Sequence, residues 1–347
     1  MFWLSWRQFR AQAITAAAAL VILAVLYGVT GVQLAHLFTA SGLPGCRARA
    51  DCGQLVNTFT SQLGTHYKVL LDLGTVIVYL VPALIGVFWG APLVAREIES
   101  GTFRLAWNQS VTRRRWLAVK LAVVGLAAMA TAGLLSLIMS WWAAPINQAS
   151  QIQGSTGLPM GAAGRLDPLV FGSQGIAPIG YAAFAVALGV VLGVLIRRTV
   201  PAMATTLAGF AAVQVAWPLL VRPHLISPAT VRAPVRNLNN VGLDFNANGT
   251  LTISGSWHQA GAWLLSNQTI MPNGQTFTGG MNKACTAANS FNACTRWLVS
   301  QHLRQLISYQ PASRFWAFQW YETAIFLVLA AALGWLCVWL INRRRSS

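Results

Sequence analysis

The sequence predicts an all-α polytopic membrane protein with six transmembrane helices. An N-terminal interfacial helix, a short cytoplasmic helix between spans 2 and 3, and a small α+β extracytoplasmic domain between spans 5 and 6 complete the expected fold. Three observations predict it. Of the 347 residues, 55% are hydrophobic and only 9% charged, against roughly 25% charged in an ordinary soluble domain. Mean hydropathy is +0.54. Six apolar stretches are each long enough to cross roughly 30 Å of hydrocarbon, and basic residues gather at their ends.

This composition excludes a cytosolic enzyme. The net charge of +17 comes from 24 Lys and Arg against 7 Asp and Glu. In a soluble protein such an excess would point to nucleic acid. Here its placement beside apolar runs reads as a membrane-orientation signal, and no nucleic-acid partner is expected.

The six spans are read at 14–38, 70–93, 117–142, 176–196, 200–221 and 320–341. The fifth is the weakest, because it carries Gln214 and Pro218. No stretch from 222 to 313 is long enough. The expected domains are therefore 1–221 (spans 1–5, with an elbow at 94–116), 222–319 (the extracytoplasmic domain) and 320–347 (span 6 and a basic tail).

Orientation follows from charge density. With the N-terminus inside, 13 basic residues fall in about 50 cytoplasmic residues and 11 in about 165 outer ones, a roughly fourfold bias in the direction of the positive-inside rule. Both termini are expected to be cytoplasmic, in a multi-pass protein of a bacterial plasma membrane. The first apolar run, about 25 residues, exceeds the roughly 7–15 residues of a signal-peptide core and reads as a retained anchor. Before it, Phe2, Trp3, Trp6, Phe9 and Ala13 gather on one helical side, with Ser5, Gln8, Arg10 and Gln12 opposite. That suits a helix lying in the interface; the alternative is the start of span 1.

The outer segments are 39–69, 143–175 and 222–319. In the last, GTLTISGSWH (249–258) alternates as a strand does, and NANG (246–249) reads as a turn. Trp297, Leu298, His302, Leu303, Leu306 and Ile307 fall at helical spacing before Pro311, which predicts a short outer helix. Four of the five cysteines lie outside in close pairs, Cys46 with Cys52 and Cys285 with Cys294. Two local disulfides are favoured over a metal site, since the spacings are not the CxxC of zinc ribbons. Cys337 reads as a small apolar residue in lipid or a helix interface.

Catalytic constellations are missing. There is no Gly-Lys dipeptide and hence no Walker A loop, no HExxH and no GxSxG. The five histidines are scattered singly. The acidic residues lie near span ends or in loops, whereas a secondary transporter normally needs ionisable groups at membrane depth. No cofactor or metal is expected in this chain. If it transports, the energy comes from elsewhere.

The densest segment is the connection between spans 2 and 3. Span 2 continues past the membrane through Arg96 to Glu99, Gly101 supplies a stop, and Thr102 caps a new helix. On that helix Phe103 and Trp107 share a face. Arg113, Arg114 and Arg115 in the next first turn have the wrong sign for the helix dipole, so orientation and anionic headgroups explain them better. The plainer reading is an ordinary helical hairpin loop.

The run AREIESGTFRLAWNQSVTRRRWLAVK (95–120) resembles the loop between spans 2 and 3 in permeases of type 2 ABC exporters. The six-span layout, the N-terminal interfacial helix and the outer domain before the last span are similar to that family too. The resemblance implies ATPase coupling by Glu97, Glu99, Gly101, Thr102, Phe103, Arg104 and Trp107, with 103–107 as a coupling helix. It further implies ABC ATPase subunits that hold ATP and Mg, and a dimer with a second permease copy or paralogue. The implied function is the membrane subunit of an ATP-driven exporter for a hydrophobic or amphipathic molecule such as a drug, natural product or lipid. The alternative is a non-transporting membrane sensor with a ligand-binding outer domain.

Overall fold

A computed structural model describes residues 2–48, 52–99, 113–152, 164–234, 241–245, 250–255, 259–277, 279–280, 297 and 300–343. Six helices are long and apolar enough to cross a membrane: Arg10–Ala40, Lys68–Glu97, Arg115–Trp142, Ala177–Ile196, Thr199–His224 and Ala312–Ile341. They are spans 1–6. The chain alternates direction, giving the bundle one end that carries the β-strands and another where span 2 ends and span 3 begins.

Span 1 is part of one unbroken helix, Phe2–Ala40, so the expected separate N-terminal interfacial helix does not form. The cause is local. Arg10, Ala11, Gln12 and Ala13 are good helix formers, with no Gly, Pro or capping residue to stop the chain between the amphipathic start and the apolar run. Gln12 Nε2 donates to Phe88 O at 3.2 Å, tying this helix to span 2. Span 2 is interrupted by Pro82 and by a π-helical turn at Gly86–Gly90, where Ala91 N–H donates to Gly86 O at 2.9 Å.

That turn is where span 2 meets span 4. A Cβ placed on Gly189 would lie 2.5 Å from Gly86 O and 2.7 Å from Ala91 N; one on Gly193 would lie 2.6 Å from Ala91 O. Likewise a Cβ on Gly86 or Gly90 would come 2.8 Å from a span 4 carbonyl. Two small-residue rows spaced by four thus let the backbones touch, as in membrane helix pairs held by van der Waals packing. Span 4 is the centre of the bundle: 67% of its apolar window is buried, against 11% for spans 5 and 6.

The strand-bearing end is built from short pieces. After span 1 a 3-10 turn, Leu43–Ala48, leads to the Cys46–Cys52 disulfide and a helix, Gly53–His66. That helix buries Val56, Phe59, Thr60 and Leu63, an amphipathic face at 3.6 periodicity, in a cluster with Tyr27, Phe38 and Trp142. Between spans 3 and 4, Asp167 Oδ1 accepts from Leu169 N–H at 3.0 Å and caps the one-turn helix Pro168–Phe171.

Between spans 5 and 6 lie two antiparallel three-stranded sheets. One has the order β1 (Ala229–Pro234), β6 (Arg304–Gln310), β4 (Trp263–Ile270); the other joins β2 (Val241–Phe245), β3 (Thr250–Gly255) and β5 (Gly279–Gly280). The strand expected within 249–258 is β3. Of the outer helix expected over 297–307, Trp297 and Ser300 are helical, but the later part is corrected: from Arg304 onward the chain is β6. It is the central strand, paired on both sides, and Leu303, Gln305 and Ile307 are buried on alternate positions. Pairing and period-2 burial override a spacing that fits a helix equally well over so short a run. Within span 6 a 3-10 turn, Ala312–Arg314, leads into the α-helix, which starts at Phe315, five residues before the expected start of the span.

Candidate functional site

At the elbow end, two of the expected site residues are placed. Glu97 forms an ion pair with Lys120 of span 3, whose ammonium also lies 4.5 Å from the Trp116 ring centroid. Glu99 accepts from Thr199 N–H at 3.0 Å and from Thr199 Oγ1–H at 2.6 Å. It thereby caps the first turn of span 5, where a carboxylate complements the helix dipole. These hydrogen bonds, with Arg198 nearby, hold the Glu99 carboxyl below its ordinary value. The end of span 2 is therefore fastened to span 3 by Glu97 and to span 5 by Glu99. Span 4 ends between them on Arg197, whose left-handed backbone (φ 61°) lets its N–H reach Gly193 O at 3.1 Å. Gly101, Thr102, Phe103, Arg104 and Trp107 lie outside the described residues, as do Cys285 and Cys294.

The strand-bearing end holds a second polar cluster. Arg222, at the end of span 5, is 1% exposed, and Glu322 and Tyr181 are fully buried. The guanidinium meets both carboxylate oxygens: Nε donates to Oε2 and Nη2 to Oε1, each at 2.9 Å. Tyr181 OH also donates to Glu322 Oε1. Nη1 reaches Pro168 O at 3.3 Å, and the guanidinium plane lies 4.2 Å from the Phe171 centroid. This bidentate, stacked geometry is particular to arginine. Both charges sit inside helices that qualify as spans, but they neutralise each other and their donors and acceptors are met.

One helical turn before Glu322, the fully buried Gln319 completes this end. Its Oε1 accepts from Ile176 N–H (2.9 Å) and Ala177 N–H (2.7 Å), and its Nε2 donates to Phe171 O (3.1 Å) and Gln174 O (2.9 Å). A side chain of span 6 thus caps span 4, satisfying amides that a helix start leaves orphaned. Gly175, with φ of +78°, makes room: a Cβ there would lie 2.7 Å from Gln319 Cδ.

Sequence reasoning placed Glu322 near a span end but did not pair it. The available signal was Arg222, the first charge after the fifth apolar run, facing a lone carboxylate at the start of the sixth. Cys337 is fully buried among residues of spans 3 and 4, which selects the helix interface over lipid. Among the described residues no three His, Cys, Asp or Glu side chains converge as a metal site would require.

A six-span bundle whose charges serve to fasten helices to one another defines a multi-pass membrane subunit. Residues 17–222, more than half of the chain, match the model of the family described as ABC-2 membrane transporter related. The chain belongs to this family and is an ABC-2-type permease, a membrane transport subunit. No curated protein and no solved structure matches it.

Proposed function

We propose that the chain is the transmembrane half of an ATP-driven exporter for a hydrophobic or amphipathic molecule. It works as a dimer, with a second copy or a paralogue, beside separate ATPase subunits that hold ATP and Mg. In this reading both termini and the 97–108 elbow face the cytoplasm, in a bacterial plasma membrane, and the strand-bearing end faces outward. The elbow receives the ATPase: Phe103 and Trp107 seat in a groove on the partner, flanked by Glu97, Glu99 and Arg104, while Gly101 and Thr102 set the bend.

One observation carries the proposal. The two glutamates that open the elbow each hold span 2 to a different helix, Glu97 to span 3 and Glu99 to span 5. A displacement delivered to this short segment is therefore shared among three spans. A loop that merely connected spans 2 and 3 would have no need of the contact with span 5. Family membership supplies the context, since the chain has no Walker A loop with which to hydrolyse ATP itself.

Replacing Phe103 and Trp107 together by Ala tests it. Buried aromatic anchors at an interface are worth about 2 kcal/mol or more each on truncation, so the double variant should lose co-purification of the ATPase, or its substrate-stimulated hydrolysis in lipid, while still inserting. Wild-type binding and stimulation in that variant would reduce the elbow to a connector.

A further inference from the structure

At the strand-bearing end, two cavities share one wall. The larger, about 420 Å³, lies between the turn after span 1 (Leu43, Pro44) and Gln148, Gln151 and Arg165. The smaller, about 140 Å³, lies on the other side of Gln151 and Arg165, toward Ser313, Phe315 and Trp316 at the start of span 6. Arg165 is the cation of both.

Its guanidinium differs from that of Arg222. It stacks 5.4 Å from the Phe315 centroid, but among the described residues it has no hydrogen-bond acceptor and no carboxylate partner, and its Nε is buried without one. Burial pushes its pKa down, with no opposing charge to restore it. The acid nearest in sequence, Asp167, turns a carboxylate oxygen to Leu169 N–H. A half-buried arginine without an acceptor is costly, and a bound oxyanion would remove that cost.

The depth of the site says what carries the oxyanion. Trp141, Trp316, Trp320 and Tyr321 are 51–65% exposed, an outward-facing aromatic group at one end of spans 3 and 6. Such residues mark the membrane–water interface. Trp316 lines the smaller cavity, and Leu43 and Pro44 give the larger an apolar wall. A cation flanked by polar amides and hydroxyls, with apolar surface alongside at headgroup level, fits a phosphate borne on an apolar stem.

We propose that Arg165, with Gln148, Gln151 and Ser313, forms a binding site for the phosphate headgroup of an anionic lipid. The test uses the purified full-length protein in non-ionic detergent, titrated with phosphatidylglycerol, phosphatidylcholine or inorganic phosphate. Melting temperature and tryptophan quenching by bromine-labelled phosphatidylglycerol are the readouts. Phosphatidylglycerol should stabilise saturably and quench. Arg165→Gln should weaken this by about tenfold or more, as loss of charge-assisted hydrogen bonds implies. Arg165→Lys should retain most of it, and Arg232→Gln, on exposed β1, should leave it unchanged. Equal midpoints for wild type and Arg165→Gln would overturn the site. Inorganic phosphate as effective as phosphatidylglycerol would mean a soluble-anion site and overturn the lipid assignment. Phosphatidylcholine as effective would overturn the role of net charge. Should Arg165→Gln fail to fold, the wild-type preference among the three ligands decides.

Discussion

Glu322→Gln should be among the most damaging isosteric substitutions in the molecule. Glutamine keeps the shape of glutamate and an oxygen for Tyr181 OH, so packing and that hydrogen bond survive. What is lost is the charge facing Arg222, which is 1% exposed and 2.9 Å from both carboxylate oxygens. Removing one member of a buried pair typically costs about 3–5 kcal/mol, because the remaining charge stays buried without compensation. Removing both, as Arg222→Met with Glu322→Leu, should cost less than Glu322→Gln alone. The remaining penalty is then mainly a tyrosine hydroxyl without its acceptor, about 1–3 kcal/mol. Arg222→Met, Glu322→Leu and their double form a cycle whose coupling energy should be about 2 kcal/mol or more. The assay is reversible unfolding in mixed micelles or bicelles, followed by near-ultraviolet circular dichroism. If Glu322→Gln stays within about 1 kcal/mol of wild type, or the double variant is as bad as the sum of the singles, the pair is not the buried, mutually dependent unit described here.

Gly189→Ala should destabilise by about 1–3 kcal/mol, because its methyl meets backbone atoms of span 2 rather than a side chain that can turn aside. Gly125→Ala in span 3, where nothing lies within 4 Å of the new methyl, should be neutral or stabilising in the same melting assay. Peptide mapping without reductant should find Cys46 joined to Cys52, and Cys52→Ser should cost about 2–3 kcal/mol at most, since the closed loop is short. Glu99 titrates below its ordinary value of 4.5, so its contribution to stability is present above that value and fades as pH falls through the depressed one. Melting temperatures of wild type and Glu99→Gln should therefore separate near neutral pH and converge in acid. A gap that widens in acid would contradict the cap on Thr199.

Much of this architecture was legible in the sequence because hydrocarbon imposes length and polarity directly. Six apolar runs had to become six helices, and the structure differs mainly in where they start. The elbow glutamates were legible as site residues, but their partners were not. Lys120 lies 23 positions from Glu97, and Thr199 lies 100 from Glu99; nothing local marks them. Glu322, Arg222 and Gln319 were hidden for the same reason, since their meaning comes from three helices converging. The helix Gly53–His66 was legible in principle, because Val56, Phe59, Thr60 and Leu63 repeat at helical spacing. Its neighbours Cys46 and Cys52 drew attention to disulfide chemistry instead. In 303–307 the periodicity was real and misleading, because Leu303, Leu306 and Ile307 satisfy both periods until pairing with β1 and β4 decides between them.

The two ends of the bundle are held by interactions of very different strength, and this sets where relative movement of the spans costs least. At the strand-bearing end, spans 4, 5 and 6 share a buried ion pair and a buried glutamine cap. Parting them leaves a charge or two helix amides unpaired away from water, several kcal/mol in either case. At the elbow end the ties of span 2 are wetter. Glu99 is exposed on the Thr199 cap, and Glu97 is partly exposed beside Lys120. Water can take the place of Thr199 as it leaves the exposed Glu99, so parting that contact costs little, whereas the Glu97–Lys120 pair, with its ammonium buried, is the drier of the two ties. The glycine contact between spans 2 and 4 lies between the two ends, where backbone packs directly on backbone. Under the proposed function, a force delivered at the end of span 2 would meet less resistance there than at the strand-bearing end, and the buried Arg222–Glu322–Gln319 cluster would act as the pivot.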